Sequence, residues 1–367
     1  MLDTFGQQPL LDLFRATTRA CAAATQAGDR AALTGTFTAL RLLARIFYSL
    51  NWQTIPEFFE DHMALWMDEF HRFLGYKNAL LDDADEEDEP GLVERLQVAI
   101  AQNAALYADK YEEEFQPQLQ RFVQAVWTLC VDSSKKNLPK YDALVTASMR
   151  FLTSVVKKKW HQSLFSDAGT LKSICEQVVI PNLVLRDSDV EMFEDDPVEY
   201  IRRDIEGSDS DTRRRAAADL VRGLCKFLNE PVTQICSAYV TQMLAAYRAN
   251  PAQNWKQQDA ALQLVLALTV QKQARATGVS QVNDRFDVMG ILTAHVLPEL
   301  QAPDVNALPV IKADAVKFAT TFRNQLTRAQ LSAFAPLLVN LVGSTHHVVH
   351  TYAAHAVERF LTARRRV

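Results

Sequence analysis

Glycine is scarce in this chain, with 11 in 367 residues against an average usage of roughly 7%. Strand-and-turn folds spend glycine on tight turns, and nucleotide-binding α/β folds spend it on phosphate loops. The shortage argues against both, and the abundance of Ala, Leu, Gln, Arg and Glu favours helix. The five cysteines (Cys21, Cys130, Cys175, Cys225 and Cys236) are scattered, odd in number and contain no CxxC pair. They read as reduced core residues of a cytosolic or nuclear protein rather than as a disulfide or zinc framework. There is no excess of basic charge, the net charge being −5, so a broad nucleic-acid-binding face is not expected. No apolar run is long enough to span a membrane, and Met1-Leu-Asp-Thr-Phe-Gly is no signal peptide. The motifs GxxxxGK[ST], GxGxxG and GxSxG are missing, as are those of protein kinases, so neither an enzyme nor a bound cofactor is implied.

What the chain does contain is helical periodicity and enough apolar residues, 48%, for a large core. From Pro231, apolar residues fall at Val232, Ile235, Cys236, Tyr239, Val240, Met243, Leu244 and Tyr247, a stripe at i, i+3, i+4 spacing held for four turns. Asn250-Pro251 stops it. Further stripes run through Ala261, Val265 and Leu268 and through Val349, Tyr352, Ala353, Ala356, Val357 and Phe360. Stop and start signals predict roughly fourteen helices, over 9–27, 29–50, 54–74, 91–114, 116–132, 139–159, 168–184, 210–229, 231–249, 254–275, 285–300, 308–324, 327–342 and 345–362. No comparable alternation predicts strands.

The helices pair. Four segments share a small-residue centre: Arg214 to Leu220, Asp259 to Leu262, Lys312 to Ala315 and Tyr352 to His355. Aligning Ala217, Ala261, Ala315 and Ala354 gives separations of 44, 54 and 39 residues. Irregular periods of roughly 40–47 residues, with two helices per unit, indicate HEAT or armadillo repeats. The expected fold is therefore all-α: one continuous HEAT-repeat α-solenoid over 1–367, of about seven helical hairpins. Apolar ends, with Leu10, Leu11, Leu13 and Phe14 at the start and Phe360-Leu361 at the finish, lead to the expectation of an excerpt from a longer array.

Two long connections interrupt the pattern. Residues 75–90 form an acidic loop, with seven acids and no base from Asp82 to Glu89. It reads as solvated, with a basic partner as the functional alternative. Residues 186–209 form a second acidic insertion. Eleven acids fall between Asp187 and Asp211, with only Arg202 and Arg203 as bases. This segment also carries Met192, Phe193, Val198, Tyr200, Ile201 and Ile205, which a solvated linker would not need. Residues 197–204 are expected to form a short helix with its apolar side packed on the scaffold and its acids outward. A binding or hinge role and a merely structural insertion both fit. The candidate interface residues are Glu191, Phe193, Glu194, Asp195, Asp196, Glu199, Tyr200, Arg202, Arg203, Asp204, Glu206 and Asp209. Arg213 to Arg215 are expected to pair with acids of the insertion, and Lys157 to Lys159 to sit at a helix C-terminus.

Two metal-like patterns carry little. His346 and His350 are four apart, near His347 and His355, but lack a third ligand of suitable type. Asp187, Asp189 and Glu191 have calcium-loop spacing, yet Met192 and Val198 stand where such a loop needs glycine and glutamate.

Several stretches resemble the importin-α re-exporters, the exportin-2 or CAS family of importin-β-like karyopherins. They are 43–52, Leu-Ala-Arg-Ile-Phe-Tyr-Ser-Leu-Asn-Trp; 55–63, Ile-Pro-Glu-Phe-Phe-Glu-Asp-His-Met; 103–115, Asn-Ala-Ala-Leu-Tyr-Ala-Asp-Lys-Tyr-Glu-Glu-Glu-Phe; 199–204; 206–227; and 349–360. The run 206–227, from Glu-Gly-Ser-Asp-Ser-Asp to Gly-Leu-Cys-Lys-Phe, is the most specific. The likeness covers essentially the whole chain but only the middle of the family's proteins. It implies a HEAT superhelix that binds importin-α together with the small GTPase Ran in its GTP form, shuttles between nucleus and cytoplasm, and has nucleoporin contacts in the full-length protein. Nucleic acid, membrane insertion, cofactors and catalysis are not implied. By position, 186–209 corresponds to the family's insertion in a central repeat, which contacts Ran and acts in opening the superhelix. A generic HEAT scaffold or import receptor with other partners is the alternative.

Overall fold

A computed structural model describes residues 6–82, 89–132, 138–206, 212–274 and 278–362. The chain divides into two compact units, Met1–Gln162 and Ser163–Val367.

In the first unit, α1 (Gln7–Ala27) and α2 (Arg30–Asn51) form a hairpin. Gly28 turns the chain with φ 65°, and Asp29 caps α2 by accepting from the Ala32 N–H at 3.0 Å, which satisfies one orphan donor of the first turn. Next come α3 (Glu57–Asp61) and α4 (Met63–Leu74), then α5 (Leu92–Lys110), α6 (Glu112–Val131) and α7 (Asp142–Val156). Helices α2, α5 and α7 pack side by side, with α1, α4 and α6 laid against them. The expected helix over 54–74 is broken at His62. The expected boundary near 115 lies instead at Tyr111. Glu112, Glu113 and Glu114 occupy the first turn of α6, where the helix dipole favours acids, and Pro117 is carried inside the helix.

The interior of this unit is aromatic. Phe14 stacks on Trp66 at 4.0 Å. Phe47 meets Phe59 at 5.2 Å, Trp66 at 4.5 Å and Tyr107 at 5.8 Å. Stretches 43–52, 55–63 and 103–115 thus converge on one cluster. Their polar residues serve it: the buried Asn103 amide donates to the Ala44 carbonyl at 2.9 Å, and the Tyr111 hydroxyl donates to the Asn51 carbonyl at 2.5 Å.

The second unit begins with α8 (Ala168–Ile174), which runs through a π-turn at Cys175–Val179 into α9 (Ile180–Leu183). The acidic insertion follows, as α10 (Asp187–Asp195) and α11 (Pro197–Ile201), with a π-turn at Arg202–Glu206. Then come α12 (Arg213–Ala249) and α13 (Pro251–Thr269). Helix α12 bends at Leu228, three residues before Pro231, whose ring clashes with an uninterrupted helix. It is thus two helices in function, as the breaker at Pro231 predicts. After β1 (Val270–Ala274) and β2 (Gly278–Val282) come α14 (Val288–Ile291), a π-turn at Leu292–Val296, α15 (Leu297–Gln301), α16 (Pro309–Thr321), α17 (Arg328–Leu341) and α18 (His347–Leu361). The first half of α12, then α13, α16 and α18 form one layer, backed by α8–α9, the second half of α12, α14–α15 and α17. With the three hairpins of the first unit this makes seven two-helix units among the described residues, an all-α repeat architecture as expected.

The strands correct the sequence reading, which extended a helix to 275. β1 and β2 pair antiparallel, Val270 opposite Val282 and Ala274 opposite Gly278. The hairpin is held by tertiary contacts. Val279 is fully buried. The Asn283 amide donates to Asn229 Oδ1 at 2.9 Å, to Thr233 Oγ1 at 3.2 Å and to the Leu268 carbonyl at 3.2 Å. These bonds tie the end of the hairpin to α12 and α13. No helix among the described residues is long and apolar enough to cross a membrane.

Candidate protein interface

The acidic insertion lies between the two helices of one hairpin, α8–α9 and the first half of α12. Its local structure follows from its sequence. Asp189 accepts from the Arg186 backbone N–H at 2.9 Å, satisfying the donor at the start of α10 as the acid of a capping box does. Asp187 in the same turn meets Lys256 of α13 at 2.7 Å, and that ammonium holds its carboxyl below the usual range. The calcium-like spacing of Asp187 and Asp189 is therefore helix-start chemistry. Asp196 caps α11 by accepting from the Glu199 N–H at 3.1 Å, with Pro197 as the first helical residue. Phe193 and Tyr200 are buried and meet edge to face at 5.0 Å, pinning the two short helices together.

Charges on the insertion divide by direction. Glu191, Glu194, Asp195 and Asp196 are exposed, as are Arg202 and Arg203. Both arginines pair with Glu199, Arg203 at 2.8 Å and Arg202 at 3.4 Å. Asp204 is the exception to the expectation of outward acids. At the π-turn it points inward, where Lys317 of α16 meets Oδ1 at 2.5 Å and the Tyr352 hydroxyl of α18 donates to Oδ2 at 2.6 Å. Burial pushes the Asp204 carboxyl up, but the charge and hydrogen bond of Lys317, the Tyr352 hydroxyl and Arg214 together hold it below the usual range. Glu206 and Asp209 are also candidates: the Glu206 side chain and residue 209 lie outside the described residues, as do 83–88 of the acidic loop at 75–90.

Beneath Asp204 lies a buried polar cluster. Arg214 pairs with the fully buried Asp259 at 2.6 Å, which corrects the expected pairing of this arginine with an acid of the insertion. Burial disfavours the Arg214 cation, but Asp259 foremost among its neighbours raises its pKa above the usual value. Asp314 of α16 lies close enough to Asp259 to feel its charge and accepts from the Gln263 amide at 3.3 Å. Burial first, then the Asp259 charge, push the Asp314 carboxyl well above the usual range. Oδ2 of each carboxyl is buried with no hydrogen-bond partner, so the two acids repel each other, and that repulsion favours the protonated form of Asp314. With Asp314 protonated the cluster balances: Arg214 and Lys317 against Asp204 and Asp259. A buried group of ions survives only with such compensation. Tyr200 and Tyr352 stay neutral, their phenols pushed up by burial and then by the Asp204 carboxylate.

Of the cluster, the sequence reading placed only Tyr200 and Asp204 among candidate residues. The signal for the rest was present. Each of the four aligned small-residue segments contributes one member: Arg214, Asp259, Asp314 and Tyr352. The alanines let neighbouring helices close up, and the polar residue beside them is carried inward. Two of the scattered cysteines also meet. Cys175 and Cys236 are buried with sulfurs 3.6 Å apart, and Cys225 is near enough to feel Cys175. His347 and His350 are in ring contact at 4.8 Å, and among the described residues no group of His, Cys, Asp or Glu is placed to hold a metal ion. Lys158, at the C-terminus of α7, donates to the Asp109 carbonyl at 2.6 Å.

Comparison with known proteins gives one consistent result. The family model described as Cse1 matches residues 1–357. Exportin-2 of Oreochromis niloticus is 50% identical over 364 residues, 99% of this chain and 37% of its own length. Exportin-2 of Homo sapiens is 49% identical over 364 residues with the same coverage. A solved structure described as the exportin Cse1 in its cargo-free, cytoplasmic state superposes with a TM-score of 0.93 at 37% identity, over 98% of this chain and 38% of that one. The chain thus spans little more than a third of the length of these relatives.

Proposed function

The chain belongs to the Cse1 family, and on that premise we propose that it is the central scaffold of a nuclear export receptor. The receptor binds importin-α together with Ran in its GTP form and returns importin-α to the cytoplasm, shuttling through nuclear pores, with nucleoporin contacts a feature of the full-length protein. Residues 1–367 act as one continuous array, and 186–209 is its partner-contacting insertion. The receptor contributes binding energy and a change of conformation, with no chemistry of its own.

The observation that carries the role of the insertion is its two-sided construction. Phe193, Tyr200 and Asp204 anchor it, while Glu191, Glu194 and Asp195 face solvent. An acidic ridge on a fixed base steers a basic surface toward it without spending those acids on the fold. Glu191→Lys, Glu194→Lys and Asp195→Lys together, in the full-length receptor, are expected to slow ternary assembly by roughly tenfold at low salt and to flatten its salt dependence. Unchanged association kinetics in surface plasmon resonance, with the circular dichroism spectrum retained, would remove the insertion from the binding role.

A further inference from the structure

The insertion is attached to the rest of its unit unevenly. At its start, Asp187 meets Lys256, but the Asp187 side chain is 94% exposed, and such a pair is screened and weak. Phe193 and Tyr200 hold each other. The charged anchor is Asp204, whose two carboxylate oxygens are taken by groups from two different helices. Those helices belong to later hairpins: Lys317 is 113 residues away in sequence and Tyr352 is 148. A segment inserted into one hairpin is thereby fastened to the next-but-one and the one after it. Helix α13, which lies between, presents Asp259 to Arg214 beneath the same fastening.

From this geometry we propose that Asp204 is a latch: held by Lys317 and Tyr352, it straps the insertion across α13 and braces α16 and α18 against α12, so that its release frees the insertion and loosens the three hairpins together.

Three features make this contact releasable. The two charged side chains keep some contact with water, Asp204 at 25% and Lys317 at 20% exposure, while Tyr352 is buried, so the ion pair regains hydration on opening. On the side of the insertion its polar contacts converge on the single residue Asp204. It sits on a π-turn, where backbone hydrogen bonds are already off the α register, a break in helix geometry found frequently at functional sites. In a stacked array each hairpin touches only its neighbours; a strap that skips a neighbour adds a constraint that ordinary stacking lacks. A partner drawing on the outer acids of the insertion pulls on this latch. That use as a gate rests on the function proposed above, whereas the latch itself does not.

Hydrogen exchange of the partner-free chain tests the latch separately from partner binding. Asp204→Ala and Lys317→Met are each expected to raise amide exchange at least tenfold in 187–206 and measurably in α16 and α18, with α5 and α7 unchanged. Tyr352→Phe, which removes only the hydroxyl, is expected to give a smaller change in the same places. The reversed pair Asp204→Lys with Lys317→Asp is expected to restore much of the protection. Unchanged exchange in 187–206 overturns the proposal, as does faster exchange confined to 187–206 with α16 and α18 unaffected. Loss of protection throughout 163–362 in every variant, Tyr352→Phe included, also overturns it, since Asp204 would then be a keystone of the fold. Failure of the outer-acid variants to affect assembly, with these exchange results intact, would reject only the partner role.

Discussion

Residues 1–162 and 163–367 bury their interiors by different means. In the first unit, rings fill the space between helices: Phe14, Phe47, Phe59, Trp66, Phe70 and Tyr107 are all essentially inaccessible and in mutual contact. In the second, aligned alanines bring the helices of one layer close, and the gaps beside them hold Arg214, Asp259, Asp314 and Lys317. An aromatic interior is non-directional and indifferent to pH. An interior of compensated charges is directional, and its balance depends on each member and on one proton. The insertion is fastened to the second kind.

The largest effect expected from breaking this contrast lies in the aromatic unit. Phe47→Ala removes a ring packed on four others and should cost about 3–5 kcal/mol, with equal loss at every pH from 6 to 9. Chemical denaturation followed by tryptophan fluorescence measures it, and a pH-dependent loss would contradict the contrast. Next comes Arg214→Met, which leaves Asp259 buried near Asp314 without its cation. The expected cost is about 3 kcal/mol, read by calorimetry of the second unit's transition. Restoration on adding Asp259→Leu would locate that cost in the orphaned charge, whereas a further loss would assign it to packing. Thr212→Ala removes the cap that accepts from the Arg215 N–H at 3.2 Å and should cost about 1 kcal/mol. A loss near zero would show that the first turn of α12 is held by its tertiary contacts alone.

The smallest effect at neutral pH, and the most diagnostic, is that of Asp314→Asn. The folded chain keeps a proton on Asp314 above the pH at which the unfolded chain loses it, because burial and Asp259 raise this carboxyl. Native protein therefore binds more protons than unfolded, and stability falls as pH rises from the ordinary carboxylate range through the folded value. The asparagine amide places a donor near Asp259 without titrating. The variant is expected to lose that fall while keeping the fold. Identical slopes of stability against pH in the two proteins would sink the retained-proton account.

Much of the helical framework was legible in the sequence. Period-3.6 stripes located most of the helices, Pro231 marked the bend of α12, and the mixed composition of 186–209 marked a segment that packs rather than floats. The hairpin β1–β2 was not legible, since 270–275 lacks alternation and continues a helical stripe. Its strands exist because Asn283, Asn229 and Thr233 satisfy one another across 50 or more residues. The inward turn of Asp204 was hidden for the same kind of reason. In a run of eleven acids, nothing local distinguishes the one that meets a lysine 113 residues on.

By itself the sequence determined where helices form and where they can approach closely, because periodicity and small residues act over a few turns of one chain segment. The tertiary structure decided which polar residues those approaches enclose. Enclosing a charge is tolerable only when partners from several helices arrive together, and no single segment carries that condition. The alanines at 217, 261 and 315 announced a close layer; only the assembled layer made a buried ion cluster of the residues beside them, with Asp204 closing it from above.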